Sequence, residues 1–145
     1  MIMKTLFDQS TRAELINRIN SLNEDSTALW GVMNVYQMLR HCTLWDEWVL
    51  GTNKPEYKQS FLGLIFGKMA LKGIVRDDKP MKRNMPAGNL KVTERTGDVE
   101  VQKQKWIERI QEHEHFSNHI FIHDFFGKMT QYEIGILAYK HADHH

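Results

Sequence analysis

Eight of the 145 residues are histidine and only one, Cys42, is cysteine. Disulfide frameworks and zinc sites built on paired thiolates are therefore excluded, and any metal chemistry has to come from imidazoles. His41 lies three residues after Met38, four before Trp45 and seven before Trp48, which puts it on the apolar face of a helix. His141 and His145 are one turn apart, about 40° around a helix, on the stripe begun by Ile134 and Leu137. Three inward histidines on two helices can converge, which is how bundles build metal and cofactor sites. Neutral imidazole suits zinc, nickel, iron or copper, and three of them leave a coordination position open for water or substrate. The competing reading is three hydrogen-bonded core histidines that hold nothing.

The other histidines read differently. His113, His115, His119 and His123 fall around Ser117 and Asn118, and the spacing predicts a solvated helix end whose imidazoles face the helix dipole. Cys42 lies on the buried stripe of its helix, where a thiol acts as a small inert hydrophobe. No nucleophile elbow, Walker loop or dinucleotide fingerprint occurs. The basic run Lys68, Lys72, Arg76, Lys79, Lys82, Arg83 is offset by Asp77 and Asp78 and reads as a solvated face.

The elements that must position these residues are helical nearly throughout. Thr11-Arg-Ala-Glu14 has the capping-box pattern, with Leu15, Ile16, Ile19 and Leu22 following at helical spacing. Asn34-Val-Tyr-Gln37 is a second box, followed by Met38, Cys42, Trp45 and Val49 and stopped by Gly51. Residues 61–73 read as a shorter helix with Phe61, Leu62, Ile65, Met69 and Leu71 inward, weakened by three glycines. Residues 77–97 read as a long connection. Asp98 caps the next helix, with Val101, Trp106, Ile107 and Ile110 buried. Residues 119–127 form an aromatic loop, and Thr130-Gln-Tyr-Glu133 is a third capping box opening the last helix. The pattern predicts one all-α domain over residues 1–145, a four-helix bundle with a long crossover and no strand.

Composition narrows the function classes. Nineteen Lys and Arg against eighteen Asp and Glu leave a net charge of +1, without the basic excess of a nucleic-acid surface. Hydrophobic residues at 41% predict a folded core. The most apolar stretch, residues 61–75, is broken by Lys68 and Lys72, so no membrane span is expected. A cytoplasmic protein without a nucleic-acid or membrane partner is the expectation.

Two stretches carry a resemblance. Trp30-Gly-Val-Met-Asn-Val-Tyr-Gln-Met-Leu-Arg-His41 resembles the second-helix segment of DinB-like proteins. His123-Asp-Phe-Phe-Gly-Lys-Met-Thr130 with Tyr139-Lys-His-Ala-Asp-His-His145 resembles the close of a bacterial branch of that superfamily. The resemblance implies a four-helix bundle holding a divalent transition metal (zinc, nickel or iron) on His41, His141 and His145. His144 is the alternative third ligand. The superfamily includes thiol-dependent S-transferases, so it implies a low-molecular-weight thiol or other small-molecule substrate, a metal-assisted transferase or hydrolase reaction, and a homodimer. Gln37, one turn before His41, either supports the ligand from behind or only closes its capping box. Trp45, Trp48, Phe125 and Phe126 read as core, and Asp143 points away from the metal stripe. Asp124 stands where relatives carry proline, and relatives extend several residues beyond His145, so the C-terminus reads as truncated. The alternative function is a non-catalytic stress-response or interaction bundle, with structural core histidines and the loop around Phe121 to Phe126 as its partner surface.

Overall fold

The computed structural model describes residues 3–28, 31–52, 54–82, 90 and 92–145. Trp30 and Arg83, used in the sequence reading, lie outside the described residues. The described chain is mostly helical: α1 (Gln9–Asn20), α2 (Val35–Leu50), α3 (Phe61–Val75), α4 (Val99–Glu112) and α5 (Gln131–His144). No described helix is long and apolar enough to cross a membrane. A 3-10 turn, His113–His115, extends α4. Contrary to the expectation of no strand, Ile122–His123 (β1) and Gly127–Lys128 (β2) pair antiparallel. Two-residue strands are too short to show an alternating pattern in sequence.

The helix boundaries follow local chemistry. The capping boxes Asn34–Gln37 and Thr130–Glu133 both form, each with two reciprocal hydrogen bonds. Asp98 accepts from the Val101 N–H at 3.1 Å, and Gly51 ends α2 in the left-handed conformation at φ 77°. The predicted Thr11 box does not form. α1 begins earlier, at Gln9, and Asp8 at its N-cap makes no side-chain cap bond. Thr11 is buried, and Glu14 instead pairs with Lys4 at 2.9 Å. Arg12 reaches back to the carbonyls of Leu6 and Phe7 at 3.1 and 2.7 Å, anchoring the incoming chain against the helix.

α2 packs on α4 and α5, and both of those pack on α1. Leu15, Ile19, Leu39, Cys42, Trp45, Val49, Trp106, Ile107, Ile110, Ile134 and Leu137 fill the space between them. Val101, expected in this core, is 47% exposed. The C-terminal carbonyls of two helices are held by buried lysines. Lys103 on α4 donates to the Asn20 and Leu22 carbonyls after α1, and Lys140 on α5 donates to the Ile74 and Asp77 carbonyls at the end of α3.

α3 reverses the expected orientation. Phe61, Leu62, Ile65 and Met69 face outward, and only Gly63, Gly67 and Leu71 are buried. The glycines lie against the Phe125 carbonyl, where a Cβ would come within 2.3 and 2.2 Å of the oxygen. Hydrophobic periodicity ranks side chains and so misses a contact made by backbone alone.

His113 is also unlike the expected solvated helix end. It is 1% exposed, and its Nε2 donates to Asp46 Oδ1 on α2 at 3.1 Å. The other Asp46 oxygen accepts from the Trp106 indole at 2.8 Å. One buried carboxylate thus joins α2 to α4 and its 3-10 extension. Asp46→Ala leaves two buried donors without an acceptor and should cost about 2–4 kcal/mol of stability, read by urea denaturation. A loss under 1 kcal/mol would mean that water or repacking replaces the carboxylate.

Candidate metal centre

The side of α2 that carries the site begins as a row of three polar side chains. Asn34 Nδ2 donates to the Arg95 carbonyl at 2.7 Å, Gln37 Nε2 to the Val92 carbonyl at 3.0 Å, and His41 Nδ1 to the Leu90 carbonyl at 2.9 Å. The acceptors run backward in sequence as the donors run forward, so residues 90, 92 and 95 are arrayed antiparallel to α2. Gln37 and His41, one turn apart on α2, each hold one of the carbonyls of residues 92 and 90.

The grip on Leu90 has a chemical consequence. A carbonyl only accepts, so His41 Nδ1 carries the proton and Nε2 turns a lone pair toward the interior. His41 Nε2 lies 3.1 Å from Nε2 of His141 on α5. His145 completes the group: one ring nitrogen from each of His41, His141 and His145 lies within 4.8 Å of the other two. Nitrogens bound tetrahedrally to zinc at 2.0–2.1 Å would be about 3.3 Å apart. The His41–His141 pair already stands near that spacing. The donor set, three nitrogen ligands of one type with one lone pair directed by a backbone carbonyl, fits a divalent transition metal.

One wall is an indole. Trp45, one turn beyond His41, stacks on His141 with centroids 4.3 Å apart and planes 13° from parallel. It is thus core, as expected, and also one face of the site. Burial is the main reason that all three imidazoles lose basicity. His41 is lowered; His141 is lowered well below the usual value, with His145 and His41 adding repulsion; His145 is pushed down to about 3. All three are neutral at pH 7, the form that binds metals.

The remaining sequence candidates are placed as follows. His144, the alternative ligand, is outside the converging group; its ring stands 5.0 Å from that of His145, and it hydrogen-bonds the Met81 backbone. Gln37 does close the capping box, and its amide reaches Val92, not the His41 ring. Asp143 pairs with Arg18 on α1 at 3.0 Å. Cys42 is buried with its thiol raised well above the ordinary value by burial. His115 and His119 are exposed and converge with nothing. His123 Nδ1 accepts from the Phe125 and Phe126 N–H groups and closes the β1–β2 turn, with Asp124 Oδ1 at 3.2 Å. Phe121 and Phe126 are buried, so the aromatic loop is not the exposed surface expected of it. Sequence reasoning missed the Leu90 and Val92 carbonyls, because backbone acceptors leave no mark in residue type.

The sign of the pH dependence follows from these imidazoles. Unfolded, they take up protons near pH 6.5; folded and metal-free, they resist, His145 down to about 3 and buried His123 to about 4. Over that window the unfolded state binds more protons, so stability falls as pH falls, by about 1.4 kcal/mol per pH unit for each such proton. The metal-free protein should lose melting temperature progressively below pH 6.5, and His145→Gln should flatten that slope. A melting temperature that rises between pH 6.5 and 5 would contradict the neutral cluster.

No curated protein and no solved structure matches the chain. A family model does match, from residue 3 to residue 145 and so across the described helices and all three converging histidines, and the chain belongs to that family, DUF1569, a protein of unknown function.

Proposed function

We propose that this member of DUF1569 is a divalent-metal-binding protein of DinB-like architecture, acting as a thiol-dependent transferase or a metal-assisted hydrolase. The observation that carries the reading is the convergence of His41, His141 and His145 within 4.8 Å from two helices. The architecture is supported by the closed ring of contacts α1–α4–α2–α5, the arrangement a four-helix bundle requires, with α3 in the stretch of chain between α2 and α4. His41, His141 and His145 would hold a divalent ion (zinc, nickel or iron), which would supply Lewis acidity and lower the pKa of a bound thiol or water. The chain's own contribution is orientation and exclusion of water. Leu90 sets the His41 tautomer, and Trp45 covers one face of His141.

Elemental analysis of the purified chain tests the reading. About one equivalent of a transition metal is expected, absent from His41→Ala, whose helix content by circular dichroism stays unchanged. No metal after incubation with zinc, nickel or iron would overturn the proposal in favour of a non-catalytic bundle with structural histidines. Gln37→Ala tests the grip on the connection: zinc affinity should fall about tenfold, because the carbonyl behind His41 is no longer held. Unchanged affinity would show that Leu90 stays in place without Gln37.

A further inference from the structure

The outward face of α3 carries most of the exposed large hydrophobic side chains among the described residues. Phe61 is 74% exposed, Leu62 59%, Leu64 67%, Ile65 54%, Phe66 50% and Met69 72%. The two glycines pressed against Phe125 leave no freedom to turn these side chains inward. Fully exposed side chains of this size offer about 150–250 Å² each, so the six present roughly 700 Å². That exceeds the few hundred Å² of patch usual on a monomer and approaches the ~800 Å² that each partner gives to a stable interface. Lys68 and Lys72 are the only charged residues of α3, and an apolar face this wide belongs in a covered position.

The pattern within the face identifies what covers it. Leu62, Phe66, Met69 and Gly73 recur at i, i+4, i+7 and i+11, the spacing of an interhelical seam. The four positions are symmetric about the bond between Gly67 and Lys68. In an antiparallel pair of α3 helices, Leu62 of one copy therefore faces Gly73 of the other, and Phe66 faces Met69. Large meets small at the ends: a Cβ on Gly73 would meet nothing within 4 Å, so the surface there is open to the partner's leucine. Lys68 donates to the Lys128 carbonyl and so carries its charge away from the seam. α3 contains no acidic residue that the seam would have to bury. A surface complementary to itself under a twofold rotation is what an isologous dimer requires.

We propose that α3 is a self-association surface, through which two copies of the chain pack antiparallel along Leu62, Phe66, Met69 and Gly73. The inference stands apart from the metal site. Sedimentation equilibrium of the full chain at 1–100 µM, a range chosen around the ~µM affinities of modest interfaces, should give twice 17.1 kDa. Phe66→Glu and Gly73→Phe, both at positions with room in the single copy, should raise the dimer dissociation constant at least a hundredfold with helix content unchanged. Should either variant lose helix content, the double substitution Leu62→Cys with Gly73→Cys serves instead, and mild oxidation should give an interchain crosslink on a non-reducing gel. A monomeric wild type at 100 µM, a dimer untouched by folded variants, or no crosslink would overturn the proposal. So would a monomer that co-sediments with phosphatidylserine vesicles, which would assign the face to a membrane surface.

Discussion

Burying an imidazole costs least when its two nitrogens both find partners, and at His41 the fold supplies one on either side. The Leu90 carbonyl lies behind the ring and the His141 nitrogen in front. Much of the architecture can be traced from that pair of contacts. The first requires the connection before α4 to lie along α2, which Asn34 and Gln37 enforce through the carbonyls of residues 95 and 92. The second requires α5 to run against α2 with its His141 side turned inward, which the Thr130 capping box and the Trp45 stack enforce.

Buried polar groups recur as joints between elements. Asp46 joins α2 to Trp106 and His113, Lys103 closes the end of α1, Lys140 closes the end of α3, and Arg12 holds the N-terminal segment. Each is a donor–acceptor set that would be costly to leave unmet away from water. Two histidines of similar burial thereby serve different ends. His113 bonds the Asp46 carboxylate, which also takes the Trp106 indole N–H, as part of a structural joint. His41 faces two other imidazoles, where no carboxylate competes for the lone pairs.

What was legible in the sequence divides along physical lines. The helical segments and two of the capping boxes depend on contacts within a few residues, so spacing reveals them. The inward placement of His41, His141 and His145 was legible because each shares a stripe with apolar neighbours at helical spacing. The α3 orientation was not, because it depends on a backbone-to-backbone approach at Gly63 and Gly67 that no count of apolar residues registers. The His113 environment was not either, because its partner Asp46 is 67 residues away. Thr11 misled for a related reason: its side chain is taken by core packing, and Glu14 by Lys4.

The central claim is that three imidazoles from α2 and α5 share one ion. X-ray absorption at the zinc edge, on protein loaded with one equivalent, reads the ligand shell directly. The account predicts three nitrogen scatterers at about 2.0–2.1 Å with the outer-shell signature of imidazole rings. A shell dominated by oxygen or sulfur, or one with a single imidazole, would contradict it.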